Sequence, residues 1–146
     1  MAGRAQGDQR AARHARINTL SEAGDHAAVV REIETQVEQA PGTSWADSLH
    51  HYLYKYGHAL RRTQGVKAST EGAERILALV HERAVAANEL EALFDLSWVY
   101  YEAGDLRQCA RVDSLAVKVA DGSSTISFQQ RGRARQYLAF DHSILG

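Results

Sequence analysis

Proline, cysteine and methionine each occur once in the 146 residues. With Pro41 as the sole imino acid and with Ala, Leu, Arg and Glu abundant, the chain favours continuous helices over strands. The single Cys109 excludes an internal disulfide and fits a reducing compartment; among small packing residues it reads as a core filler rather than a reactive thiol. The longest unbroken aliphatic run, Ile76 to Val80, falls far short of the ~20 residues of a membrane span. There is no Gly-rich phosphate loop and no nucleophile elbow, so neither an enzyme nor a cofactor is expected. The seven histidines include no pair at the i,i+4 spacing of a helical metal site, although His51 and His58 share a face two turns apart.

A basic stripe is also missing. The net charge of −1 divides into an acidic body, with 16 acids against 10 bases over 21–123, and two basic ends. Residues 1–20 carry four Arg against Asp8, and 124–142 carry three against Asp141. That distribution does not suit nucleic acid.

What is present is helical periodicity. In the stretch 93–119, Leu93, Leu96, Ser97 and Tyr100 recur at helical spacing, then Leu106, Cys109, Ala110, Ala116 and Val117 after Gly104-Asp105. Gly104 suits a C-cap and Asp105 an N-cap, and the small residues let two backbones approach. This is the packing pattern of a tetratricopeptide (TPR) helix pair, which cannot bury its apolar faces alone.

In chain order, residues 1–24 read as a basic arm, flexible or partly helical. A helix over 25–39 is closed by Pro41. A single long helix capped by Thr43 or Ser44 runs to Gln64, and a polar connection, Val66 to Ala68, leads to a helix capped by Ser69 or Thr70. Gly65 and Gly104 lie 39 residues apart against a TPR period of about 34, which predicts an overlong turn in the first pair. A last helix over 125–140, with Phe128, Ala134, Tyr137 and Leu138 inward, covers the stack. The expected architecture is all-α: six helices in a TPR-like domain over 25–142, with 143–146 as the start of a tail.

The stripes that do not pack are the candidate site. On the earlier helix they hold His51, Tyr54, His58, Arg61 and Arg62; on the later one, Glu91, Phe94, Trp98, Tyr101 and Glu102. Aromatic anchors with a charged rim suit a groove for a peptide or helix of a protein partner. Lys and Asn, which a clamp for a C-terminal carboxylate needs, are absent from these positions.

Three blocks resemble the mitochondrial fission 1 protein family: Tyr56 to Thr63 (YGHALRRT), Gly72 to Val80 (GAERILALV) and Leu93 to Leu106 (LFDLSWVYYEAGDL). Their order and the overlong turn carry the likeness, which covers about 25–140. The resemblance implies a six-helix, two-repeat bundle at the cytosolic face of the outer mitochondrial membrane, with the peroxisome as a second address. It implies recruitment of a dynamin-related GTPase or its adaptors for organelle fission, a C-terminal membrane anchor following Gly146, and room for self-association. Tyr56, Leu60, Arg62, Leu96 and Tyr101 match motif residues, whereas His58 replaces the family's Trp, Val99 its Gly and Glu102 its Arg or Lys. The competing expectation is a soluble TPR-like scaffold or secretion-type chaperone without an anchor.

Overall fold

The computed structural model describes residues 2–146, and among them there is no strand. Seven α-helices follow one another: α1 (Ala2–Glu22), α2 (His26–Gln39), α3 (Leu53–Gln64), α4 (Val66–Arg83), α5 (Ala86–Glu102), α6 (Leu106–Asp121) and α7 (Phe128–Leu145). A 3-10 helix, Ala46–Tyr52, precedes α3. The chain forms three successive hairpins, α1/α2, α3/α4 and α5/α6, with α7 laid along α6.

The first and third hairpins turn on the same tetrapeptide. Glu22-Ala23-Gly24-Asp25 and Glu102-Ala103-Gly104-Asp105 both place glycine at positive φ, 73° and 77°. Asp25 and Asp105 then cap the next helix, accepting from the N–H of Ala28 and of Gln108 at 3.2 Å each. Their own N–H groups donate back to Leu20 O and Tyr100 O at 3.0 Å, closing the ends of α1 and α5.

The middle hairpin corrects two expectations. The long helix from Ser44 is instead a 3-10 segment followed by α3. Ala46, Leu49 and Tyr52 are its buried residues, and that spacing of three matches three residues per turn; from Leu53 the buried spacing becomes that of an α-helix. Thr43 does not cap; its hydroxyl donates back to Ala40 O. The overlong turn is also absent. Gly65, at φ 103°, ψ 179°, is the whole connection, and α4 begins at Val66. The reason lies at Ser69, expected as a cap, which is buried a turn inside α4 and donates to Gly57 O at 2.6 Å.

Two further differences concern the ends. Helix α1 runs through the expected arm: Ile17 is completely buried, Arg16 pairs with Glu32 at 3.1 Å and His14 meets the Tyr52 hydroxyl at 2.8 Å. At the other end Ser127, not Thr125, starts α7, through a reciprocal capping box with Gln130. Phe128, placed inward by its periodicity, is 91% exposed, and Ile126 fills the core instead.

Leu53, Tyr56, Leu60, Ile76, Val80, Leu90, Leu93 and Leu96 form the centre of the core, shared by α3, α4 and α5. At Gly72 the side chains of α3 press on the α4 backbone: a Cβ there would collide with Leu60 Cδ1 and stand 2.9 Å from Tyr56 Cε2. Gly72→Ala should therefore lower stability by about 1–3 kcal/mol. Gly132→Ala, in α7 with nothing within 4 Å, should be neutral or slightly stabilising. Paired thermal melts check this, and equal melting temperatures for the two variants would contradict the α3/α4 packing.

Candidate functional site

Helix α5 is the central element, lying against α3, α4, α6 and the 3-10 segment. Its leucines and Val99 point into the core, which leaves Trp98 and Tyr101 outside; they stack on each other with centroids 5.1 Å apart and planes 20° apart. Tyr54 of α3 reaches the same place. Its hydroxyl donates to Glu102 Oε1 at 2.7 Å, and Arg61 pairs with Glu102 at 3.2 Å. His58 stacks beside Tyr54 at 6.0 Å and meets His26 of α2 at 5.3 Å; burial is the main cause holding its imidazole below its ordinary pKa.

The structure thus brings Tyr54, His58, Arg61, Trp98, Tyr101 and Glu102 together, but not as two opposed charged walls. Arg61 and Glu102 neutralise each other across the α3/α5 seam. His51 faces α1 instead, with His14 at 6.0 Å and His50 at 4.0 Å, and burial is the leading cause lowering the His50 pKa to about 4. Arg62 is exposed and forms no ion pair among the described residues. Glu91 looks the other way, to Arg133 of α7 at 3.9 Å. Phe94 was expected to be unpacked and is 4% exposed: Tyr137 meets it edge-on at 5.3 Å and the Arg133 guanidinium lies 4.5 Å from its ring centre. The expectation failed there because α7 covers that end of α5.

Between α5, α6 and α7 lies a cavity of about 520 Å³. Trp98, Tyr101 and Phe140 form its aromatic rim, and Cys109, Asp113 and Asp141 line it as well. Asp113 and Asp141 escaped the sequence reading. The signal for Asp113 was a carboxylate inside the small-residue stripe that runs Cys109, Val112, Ala116, Ala120 on α6. Asp141 lies beyond the expected end of the last helix.

Electrostatics here are set by burial. Asp113 is pushed up to about 8, first by desolvation and then by its hydrogen bond with Asp141, against a smaller opposing pull from Ser97. Asp95, also lining the cavity, rises to about 6 through desolvation and the neighbouring charge of Glu91, with Arg133 opposing. Desolvation and the two aspartates push the Cys109 thiol to about 11, so it is protonated at neutral pH and weakly nucleophilic; it donates to Ser97 O at 3.3 Å. Among the described residues, no group of three or more His, Cys, Asp or Glu side chains could hold a metal ion, and no helix is long and apolar enough to cross a membrane. What this arrangement can do is hold a ligand against aromatic surface and buried acid. No protein-family model and no curated protein matches the chain.

The raised Asp113 has a measurable consequence for stability. Its folded value, about 8, lies above the ordinary 3.8, so the folded chain keeps a proton that the unfolded chain releases. That contribution is complete below pH ~4 and is lost as pH rises towards ~8. The depressed His50 acts oppositely between about 4 and 6.5, because there the unfolded chain takes the proton first. Comparing Asp113→Asn with the parent isolates the carboxyl. The variant should melt higher than the parent at pH 8, with the difference shrinking towards pH 4. A difference that is constant with pH would contradict the buried pair.

Proposed function

We propose that this chain is a binding scaffold of TPR-like helix pairs that docks a peptide or helix of a protein partner on the outward face of α5. The carrying observation is Trp98 stacked on Tyr101, 51% and 44% exposed, at the rim of an aromatic cavity. Large stacked rings held half in water by a rigid helix are typical anchors of protein interfaces, where they bring much contact area at little entropic cost. Neither ring is needed to close the core, which leucines already fill beneath them.

The TPR-like reading is supported by an equivalence between the hairpins. Ser69 donates to Gly57 O across α3/α4, and Cys109 to Ser97 O across α5/α6; both bonds link residues 12 apart. Small side chains at matching positions let each pair of backbones approach, and stacked pairs then present their first helices along one face.

The narrower reading, an adaptor at the outer mitochondrial membrane that recruits a dynamin-related GTPase, rests on the resemblance of three sequence blocks. The one-residue connection at Gly65 removes the overlong turn that made their spacing specific. The wider scaffold reading therefore carries the proposal.

Trp98→Ala and Tyr101→Ala test it. Each should keep the melting temperature within about 2–3 °C of the parent while weakening partner capture by about 30-fold, the effect of losing an anchor of ~2 kcal/mol. A collapse of melting temperature would assign the rings to the core. Unchanged melting and unchanged capture would remove the α5 face as the recognition surface.

A further inference from the structure

Two carboxyl groups in the cavity have no partner beyond their hydrogen bond to each other and the contact of Asp113 with Ser97, and one oxygen of each is left over. Asp113 and Asp141 are 2% and 4% exposed, both line the cavity, and Oδ1 of Asp113 and Oδ2 of Asp141 have no hydrogen-bond partner. Buried acceptors left without donors are destabilising, and natural interiors rarely keep them. Neither side chain joins an ion pair among the described residues. The nearby cation, Arg133, is engaged elsewhere: it pairs with Glu91, donates to the Tyr137 hydroxyl at 2.8 Å and covers the Phe94 ring.

The remaining surface is aromatic. Trp98, Tyr101 and Phe140 border the same space, and ring faces attract a cation while accommodating an aliphatic stem. We propose that this cavity binds a primary ammonium on an alkyl stem, the ammonium donating to the Asp113 and Asp141 carboxyl groups and the stem lying against Trp98, Tyr101 and Phe140. A primary ammonium has three donors to give, whereas a quaternary one has none and would leave both acceptors unsatisfied. The cation is either a lysine side chain of a docked partner, in which case the inference rests on the scaffold reading, or a free small amine, in which case it stands without it.

A proton balance accompanies the step. The titratable and charged groups facing the space are Asp95 and Tyr101 from α5, Cys109 and Asp113 from α6, and Arg133, Tyr137 and Asp141 from α7. Near neutral pH Asp113 holds a proton, and an arriving ammonium replaces it, so the proton passes to the buffer. Binding therefore tightens as pH rises towards 8.

Calorimetric titration of the 146-residue chain tests the site with three probes: n-butylammonium, N-acetyl-lysinamide and tetramethylammonium. Saturable binding of a primary ammonium in the millimolar range is expected, with heats that differ between buffers of different ionisation enthalpy and no binding of tetramethylammonium. Asp113→Asn and Asp141→Asn should each weaken it about tenfold or more, with circular dichroism checking that they fold. Trp98→Ala, at an exposed position, should also weaken it and serves if the aspartate variants do not fold. Binding of both primary ammoniums supports a lysine side chain as the occupant. Binding of n-butylammonium alone supports a free amine and separates the cavity from the peptide-docking reading, which the Trp98 and Tyr101 capture experiment decides independently. Absence of saturation by either primary ammonium up to ~100 mM, equal binding of tetramethylammonium, or unchanged affinity in folded aspartate variants would overturn the proposal.

Discussion

Close approach of paired helices is the constraint from which the rest follows. Where Gly57 faces Ser69 and Ser97 faces Cys109, a hydroxyl or thiol of one helix reaches a backbone carbonyl of the other, which is feasible only because no larger side chain intervenes. With the backbones drawn together on that side, the leucines and tyrosines of α3 and α5 must fill the opposite side, where they meet the neighbouring hairpin. The outward rings on α5 are then fixed by a helix that cannot rotate without breaking both interfaces.

A second recurring unit joins one hairpin to the next. The Tyr56 hydroxyl donates to Glu34 of α2 while Arg75 of α4 lies over the ring, and the Tyr100 hydroxyl donates to Glu74 of α4 while Arg111 of α6 lies over that ring. Each tyrosine thus links its own hairpin to the preceding one. Burial raises both phenols to about 12, so the links keep their protons throughout the physiological range.

The all-helical class, the third hairpin and the outward placement of Trp98 and Tyr101 were legible because the 3.6-residue period there is clean and the Gly-Asp turn has one conformation. The middle hairpin was not. Ser69 has the chemistry of a cap, and only the tertiary proximity of Gly57 O makes it a buried donor. Comparing Gly65 with Gly104 also set the wrong register. The identical tetrapeptides at 22–25 and 102–105, and the forty-residue offsets from Gly57 to Ser97 and from Ser69 to Cys109, put the equivalent of Gly104 one residue before Gly65. Asp113 and Asp141 come from different helices, and the sequence holds no local signal that they meet.

Helix α7, like α1, buries few side chains. Ala134 and Asp141 are its only buried residues; Tyr137 packs edge-on against Phe94, and the other attachments are polar: Arg135 on Asp121 at 2.8 Å, Arg131 on Ser123 O at 2.6 Å and Arg133 on Glu91. Exposed charged contacts of this kind are individually weak and are screened by salt. The cavity is therefore bounded on two sides by helices of the packed core and on the third by a wall fastened by Ala134, by Tyr137 on Phe94 and by exposed ion pairs. Opening that wall uncovers Phe94 and breaks exposed ion pairs together, so ionic strength joins temperature as a control on how often the chamber is accessible.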